Sequence, residues 1–252
     1  MRILRLKWEL IWLGLFWLFI IGGPVLRAGN LPQEKKSNDL LFQSAPATEL
    51  VERHYEGTLT MDELLKHGTL GLGTFDAYNG ELILLDGTVY RIKAEDGLAY
   101  QVPGNETTPF AVVTHFQPDI VETLEKTIDF TQLTQYLDRL LPTKKLFYAI
   151  RVEGGFRHIK TRSLYKQEKP YPELTRVLQS QANFEYAEIE GTLVGFWLPV
   201  YTESLSTEGY HFHFLSKDKK RGGHVVEFQT SGRPLKIEID IISNFQLRMP
   251  YR

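Results

Sequence analysis

The clearest pattern in the chain is an alternation of apolar and polar residues near its C-terminal end. Leu235, Ile237 and Ile239 alternate with polar residues, which is the period of a strand with one buried face. Runs of the same kind, separated by turn residues, predict strands over residues 192–201, 209–215, 224–230 and 235–247. From residue 191 onward the chain is therefore predicted to be almost entirely β.

The first part of the chain contains helical spacing as well. Residues 129–141 place leucines and a tyrosine on one helical face and stop at Pro142, so they predict the longest helix. In a shorter helix predicted at 60–66, Thr60 and Glu63 have capping-box spacing. The other predicted helices are 48–54 and 174–180.

Strands are also predicted between these helices. Residues 81–93 predict a hairpin, because Asp86-Gly87 separates two apolar runs and this pair favours a two-residue turn. Further strands are predicted over 110–116, 146–152 and 158–165. The residues alone thus indicate a mixed N-terminal half and a β-rich C-terminal half.

Composition and charge narrow the class of protein. The chain has 252 residues, of which 42% are hydrophobic, enough for one large domain or two small, closely packed ones. The formal net charge is -2 and no basic field is present, so we expect no nucleic-acid partner. The chain has no cysteine, which excludes disulfides and cysteine-based zinc sites and leaves His, Asp and Glu as ligands.

The N-terminus has the pattern of a secretory signal peptide. Basic residues precede an apolar run over 10–21, and Ala28 lies where a peptidase would cut. We therefore predict a signal peptide at 1–28, a linker at 29–40, and a periplasmic or extracellular protein with no stable membrane partner after signal removal. An uncleaved membrane anchor remains the alternative, because the apolar run approaches the length of a bilayer span.

Three of the seven histidines fall within residues 211–224. His211 and His213 share one face of a predicted strand, because successive side chains alternate between faces. If residues 217–221 form a hairpin turn, His224 lies opposite His213 on the partner strand. Three imidazoles would then converge, which is the ligand set of a catalytic zinc with an open position.

Simpler interpretations of these residues stay open. A His-x-His pair alone is more often structural than metal-binding, and the glycines before His224 are also typical of a flexible turn. The remaining histidines are scattered, and we interpret them as structural or solvated.

Two more segments contain candidate chemistry. Glu81 begins a strand after a glycine-rich loop, where a glutamate is usually a solvated edge residue. Arg151 lies within a strongly apolar strand, where an arginine pairs with an acid, either structurally or on a substrate carboxylate. Spacing does not separate these uses.

Several ordered motifs together resemble the α-acetolactate decarboxylase family. The similarity extends over about residues 41–250 and is carried by Gly71-Leu72-Gly73-Thr74-Phe75, Gly80-Glu81-Leu82, Leu84-Leu85-Asp86-Gly87, Phe147-Tyr148-Ala149-Ile150-Arg151, Gln167-Glu168-Lys169-Pro170-Tyr171, Gly191-Thr192-Leu193-Val194-Gly195-Phe196, Gly209-Tyr210-His211-Phe212-His213-Phe214, Gly222-Gly223-His224-Val225 and Leu247-Arg248-Met249-Pro250.

The resemblance implies an α+β, mostly β fold, in which a mixed N-terminal sheet packs against a β-rich, barrel-like C-terminal part. We accordingly expect a mixed α/β domain at 41–175 and a β domain carrying the metal site at 176–252. The resemblance also implies a homodimer.

For function, the resemblance implies zinc-dependent conversion of 2-acetolactate, a 2-hydroxy-3-keto acid, to acetoin and carbon dioxide. The family's Zn²⁺ ligands match His211, His213 and His224. Its active-site threonine falls on Thr74, its first glutamate on Glu81 and its arginine on Arg151. On this hypothesis zinc polarises the ketone, Arg151 orients the substrate, and Glu81, held by Thr74, transfers a proton.

Two other functions remain as alternatives: a non-catalytic zinc-binding secreted module, and a metallohydrolase using zinc-bound water. The family's second glutamate follows the counterpart of residues 247–250, and no acidic residue follows Asp240 in this sequence. We expect weakened turnover or relaxed stereochemistry if that acid has no substitute.

Overall fold

A computed structural model describes residues 39–250. The signal peptide predicted at 1–28 and residues 29–38 of the predicted linker lie outside the described residues. Among residues 39–250, no helix is long and apolar enough to cross a membrane.

The described part of the chain contains fifteen strands and four α-helices. The strands are β1 (Leu40–Gln43), β2 (Leu59–Thr60), β3 (Leu70–Thr74), β4 (Glu81–Leu85), β5 (Thr88–Ile92), β6 (Ala99–Gln101), β7 (Thr107–Thr108), β8 (Phe110–Thr114), β9 (Ile120–Leu124), β10 (Phe147–Ser163), β11 (Ala182–Leu198), β12 (Gly209–Ser216), β13 (Gly222–Thr230), β14 (Leu235–Ile242) and β15 (Asn244–Leu247). The helices are α1 (Thr48–Val51), α2 (Met61–Leu64), α3 (Phe130–Leu140) and α4 (Leu174–Gln179).

The first sheet has seven strands in the order β15-β1-β8-β3-β4-β5-β6. Its pairs are antiparallel except β1 with β15, which is parallel, so the predicted mixed sheet is confirmed. The predicted hairpin is β4–β5, and its turn residues Asp86 and Gly87 have φ of 51° and 76°. Left-handed conformations at both positions are what a type I′ turn requires.

The second sheet closes on itself, which confirms the predicted barrel-like part. β10 pairs with β11 along its whole length, β11 with β12, β12 with β13, and β13 returns to β10. On the edge away from β11, only the second half of β10 pairs with β13. The first half pairs with β14, which in turn pairs with β9 at the edge of the sheet. The pairing of β10 with β13 contains two register shifts, between Phe156 and His158 and between Lys160 and Thr161.

The helices follow their sequence signals. α3 begins after Asp129, which forms a capping box with Gln132, and buries Leu133 and Leu137. α2 begins with the predicted capping box between Thr60 and Glu63. In both helices the box satisfies amide groups that the first turn leaves without partners.

Two predicted strand boundaries are wrong. The strands expected at 146–152 and 158–165 are one continuous strand, β10, because Gly154 and Gly155 remain paired with β11 in the ladder. The single strand expected at 235–247 divides at Ser243 into β14 and β15, which belong to different sheets. The two sheets do not divide at residue 175, the expected domain boundary. β9 and β10 precede that residue but belong to the second sheet, and β15 follows it but belongs to the first.

The core lies on both faces of the barrel wall. One cluster joins the sheets and includes Leu72 and Ile83 of the first with Val194 and Phe196 of the second. A second cluster contains Phe212 and Phe214 of β12 together with Leu137 of α3. The face of β12 opposite those phenylalanines therefore points toward the first sheet, and it carries the histidines.

Candidate metal centre

The three clustered histidines converge between the two sheets, as the strand pattern predicts. His213 and His224 are direct register partners on β12 and β13. The Nε2 atom of His211 lies 2.9 Å from Nδ1 of His224. Each of the three rings offers a nitrogen within 4.8 Å of the others, an arrangement that suits one metal ion.

The backbone before His224 explains how the two strands come so close. A Cβ atom at Gly222 would lie 2.3 Å from the carbonyl oxygen of Phe214 on the neighbouring strand. Gly223 has φ of 138°, a conformation that side-chain-bearing residues rarely adopt. The flexible-turn interpretation of these glycines is therefore wrong: both lie in β13, where a close approach and an unusual φ need the missing side chain.

Burial keeps the imidazoles neutral. Loss of solvation, followed by the positive charge of Arg162, lowers the pKa of His211 to about 4. Loss of solvation also holds the pKa values of His213 and His224 well below their usual range, and the neighbouring His211 adds to this effect. Neutral imidazole is the form that ligates a metal.

A hydrogen bond orients the most buried ring. Nδ1 of His213 lies 2.8 Å from the carbonyl oxygen of Leu82, so this nitrogen carries the proton. Nε2 is then the free acceptor, and it has no hydrogen-bond partner although the residue is 1% exposed. A ring fixed in this way is typical of a metal ligand, whose second nitrogen usually donates to a carbonyl or carboxylate.

Glu81 is brought to this cluster by the first sheet. Its Oε2 atom lies 3.5 Å from Nε2 of His213, and the residue is 5% exposed. Burial raises the pKa of the Glu81 carboxyl to about 7, although the positive charge of Arg162 opposes the shift. The interpretation of Glu81 as a solvated edge residue is therefore wrong, because Glu81 faces inward from β4.

The cation of the site is Arg162 and not the predicted Arg151. The Nη1 atom of Arg162 lies 3.6 Å from Oε1 of Glu81. Arg162 on β10 is the register partner of His224 on β13, so the two side chains point to the same face of the barrel wall. Arg162 falls within the predicted strand 158–165. The sequence could not show that this strand pairs with the strand of His224, because that pairing depends on closure of the barrel.

Arg151 lies in a different group of charges. Its guanidinium donates to Glu153 and, at 3.0 Å, to Asp86, and it lies 3.6 Å from Glu238. Asp86 is in the turn at the end of β4, whereas Glu81 is at its beginning, about 16 Å away at the usual rise per residue. The structure therefore does not bring Arg151 to the histidines, and its contacts are those of a structural ion-pair network.

Thr74 lies beside Glu81, but its hydroxyl donates to the backbone and not to the Glu81 carboxylate. The two residues are register partners on β3 and β4. The Thr74 hydroxyl is buried and donates to the carbonyl oxygen of Gly80 at 2.9 Å. It therefore stabilises the turn of backbone that delivers Glu81 to the site.

Unpaired buried atoms mark where a ligand belongs. Oε1 of Glu81, Nη1 of Arg162 and Nε2 of His213 are buried and have no hydrogen-bond partner. Buried polar atoms are normally paired, because each unpaired one costs about 1–3 kcal/mol. The carboxyl oxygen and the imidazole nitrogen can bind a metal ion, and the guanidinium nitrogen can donate to an anion. Together the three atoms fit a metal ion with an anionic ligand.

The fold and the site define a two-sheet β protein with a three-histidine centre between its sheets, in which His213 is buried and His211 and His224 are half-buried. Residues 41–252 match the family model described as alpha-acetolactate decarboxylase. Over 210 residues the chain is 46% identical to the alpha-acetolactate decarboxylase of Methylococcus capsulatus, covering 83% of this chain and 80% of that protein. Over 214 residues it is 41% identical to that of Methanosarcina mazei, covering 85% and 73%.

The crystal structure of alpha-acetolactate decarboxylase from Bacillus subtilis strain 168 is similar as well. It has a TM-score of 0.81 and 33% sequence identity, over 84% of this chain and 90% of that chain. The chain therefore belongs to the alpha-acetolactate decarboxylase family, a family of carboxy-lyases.

Proposed function

We propose that the protein converts 2-acetolactate to acetoin and carbon dioxide at a Zn²⁺ ion held by His211, His213 and His224. The observation that carries this proposal is the convergence of three neutral imidazoles, with His213 buried and His211 and His224 half-buried, on one point beside Glu81. Membership of the decarboxylase family supports the choice of substrate.

The residues suit zinc. Zn²⁺ takes nitrogen ligands in tetrahedral geometry, and a catalytic site keeps one position open beside three protein ligands. His213 offers Nε2 because its Nδ1 is engaged by Leu82, and the low pKa values of the three rings remove proton competition. When bound, Zn²⁺ supplies the positive charge that polarises the substrate's ketone oxygen.

Arg162 is proposed to bind and orient the substrate carboxylate. Its Nη1 atom is buried and has no hydrogen-bond partner, so it donates to an incoming anion without first breaking a bond. Guanidinium groups match carboxylates in geometry and charge. Holding the carboxylate in one orientation aligns the bond that breaks when carbon dioxide leaves.

Glu81 is proposed to give the proton that completes acetoin. Loss of carbon dioxide leaves an electron pair on the adjacent carbon, and a proton must reach that carbon. A carboxyl group whose pKa is raised to about 7 is available in its acid form near neutral pH. Because Glu81 is fixed on one strand, it would deliver the proton to one face, and the acetoin would be a single enantiomer.

The test of this function uses racemic 2-acetolactate and purified protein, with acetoin measured with and without a chelator. Acetoin formation that is lost on chelation and restored by Zn²⁺ supports the proposal. Zinc binding without turnover would favour a non-catalytic module, and hydrolysis of an ester panel in its place would favour a metallohydrolase.

Export and dimerisation are also proposed. The basic and apolar pattern of residues 1–28 supports cleavage of a signal peptide and a periplasmic or extracellular location. N-terminal sequencing of the exported protein and light scattering of the purified protein test these two proposals separately.

A further inference from the structure

The hydroxyl group of Tyr78 is buried without a hydrogen-bond partner. The residue is 4% exposed, and its Oη atom is not satisfied by any protein group. A buried tyrosine hydroxyl usually has a hydrogen-bond partner, because without one the loss of its hydrogen bonds to water is not compensated. Such an atom points to a group that the protein binds.

The position of this hydroxyl relates it to the site. Burial, the neighbouring Tyr55 and the charge of Glu81 raise the pKa of Tyr78, while the charge of Arg162 lowers it. Tyr78 precedes Glu81 by three residues, and Gly80 between them is hydrogen-bonded to Leu164, two residues after Arg162, so the chain places Tyr78 next to both charged residues of the site. Tyr78, Glu81, Arg162 and His213 each have a buried side-chain atom without a hydrogen-bond partner.

The loop that carries Tyr78 is held against residues 164–167, which directly follow the strand that carries Arg162. The amide of Gly80 donates to the carbonyl of Leu164 at 3.1 Å, and the amide of Gln167 donates to the carbonyl of Ala77 at 2.7 Å. The Tyr78 ring packs edge-to-face on Tyr55, with centroids 4.6 Å apart. The hydroxyl is therefore fixed in place before any ligand arrives.

The backbone of this loop is unusual. Ala77 and Tyr78 have φ of 56° and 57°, a left-handed conformation that residues other than glycine seldom adopt. Such conformations cost free energy and persist where the surrounding structure enforces them, often at functional sites. The cost at Tyr78 is consistent with a side chain aimed for a purpose other than packing.

We infer that the Tyr78 hydroxyl donates a hydrogen bond to the carboxylate of the bound substrate, beside the guanidinium of Arg162. The inference rests on the proposed function for the identity of the ligand. A carboxylate has two oxygen atoms with several acceptor positions, so it accommodates Nη1 of Arg162 and a tyrosine hydroxyl together. Tyr78 would thus help to distinguish a 2-hydroxy-3-keto acid from a neutral hydroxyketone.

Tyr78→Phe removes only the hydroxyl and keeps the ring that packs on Tyr55. Tyr55→Phe is the matched control, because the Tyr55 hydroxyl belongs to the same ring pair but donates to Pro172 at 2.8 Å. Two measurements are made on the zinc-loaded proteins: KM and kcat for 2-acetolactate, and calorimetric affinity for 2-hydroxy-2-methylbutanoate and for acetoin. Thermal melting confirms that both variants fold.

The expected result for Tyr78→Phe is about a tenfold rise in KM with kcat within about twofold of wild type, in line with loss of a hydrogen bond to a charged group. Affinity for the hydroxy acid falls by a similar factor, while affinity for acetoin and all values for Tyr55→Phe stay unchanged. Unchanged binding of the hydroxy acid by Tyr78→Phe, or no binding of it by the wild type, overturns the inference. If the wild type binds the acid through Tyr78 but forms no acetoin, the proposed function fails and the contact stands.

Discussion

The Oε2 atom of Glu81 lies 3.5 Å from Nε2 of His213, although the two residues belong to different sheets. Each sheet brings its own chemistry to this contact: the first supplies a carboxyl group, and the barrel supplies neutral imidazoles and a guanidinium. The site therefore depends on how the two sheets pack.

Replacing Arg162 tests which arginine serves the site. Because Arg162 lies beside Glu81, we expect Arg162→Ala to lower kcat/KM for 2-acetolactate by about 100-fold or more through loss of substrate orientation. Arg162→Lys should recover only part of this loss, since lysine cannot match the guanidinium geometry. Steady-state kinetics at matched zinc content provide the measurement.

Arg151→Ala is the contrasting variant. It breaks the ion pairs with Asp86 and Glu153, so we expect a lower melting temperature with kcat/KM retained within a few-fold. If Arg151→Ala abolished turnover in a folded protein while Arg162→Ala did not, the assignment of the two arginines would be reversed.

The stability of the zinc-free protein should depend on pH through Glu81. Burial raises its pKa from 4.5 to about 7, so the folded state favours the protonated carboxyl. This contribution to stability is complete below about pH 4.5 and is lost as the pH rises through about 7. Arg162 and His213 are the ionisable groups that contact the carboxyl; the positive charge of Arg162 reduces the effect, and burial holds the pKa of His213 well below its usual range.

Glu81→Gln carries no such charge and provides the comparison. In chelator-treated protein, the variant should equal the wild type near pH 4.5 and exceed it near pH 8, by an amount on the order of 1–3 kcal/mol in the free energy of unfolding. Urea titrations at both pH values measure the difference. A wild type that gains stability relative to the variant as the pH rises would contradict a protonated, buried Glu81.

Gly222→Ala tests the close approach of β12 and β13. The added Cβ would meet the carbonyl oxygen of Phe214 at 2.3 Å, so the hairpin must shift. We expect a loss of about 1–3 kcal/mol in the free energy of unfolding and weaker zinc binding.

The control for this hairpin variant is Gly209→Ala, where nothing lies within 4 Å and only the φ of 80° is strained. Its zinc affinity should match that of the wild type. Equal zinc affinity in all three proteins would show that the glycine does not position the ligands.

Local signals in the sequence were sufficient for much of the fold. The capping box at Thr60, the helix that begins after Asp129 and the Asp86-Gly87 turn each depend on neighbouring residues, and each appears as predicted. His213 opposite His224 was also predictable, because a short hairpin fixes the register of its own strands.

Features that depend on distant pairing could not be predicted in the same way. Arg162 faces His224 only because β10 bends around the barrel to meet β13, and nothing within residues 158–165 specifies that partner. The division of 235–247 likewise depends on β1, whose edge accepts β15 from far along the chain. The apolar run around Arg151 suggested that this arginine was the cation of the site, but it is paired with Glu153 on its own strand, Glu238 on the neighbouring strand and Asp86 in a turn.

The most direct test of the central claim is the zinc content and acetoin production of one purified sample, compared with His213→Ala and with His158→Ala. His158 lies on the same barrel but pairs with Glu185 at 3.7 Å, away from the cluster. We expect one zinc per chain and acetoin formation in the wild type and in His158→Ala, with both lost in His213→Ala and in chelated protein. Full acetoin production by metal-free protein, or by His213→Ala, would contradict it.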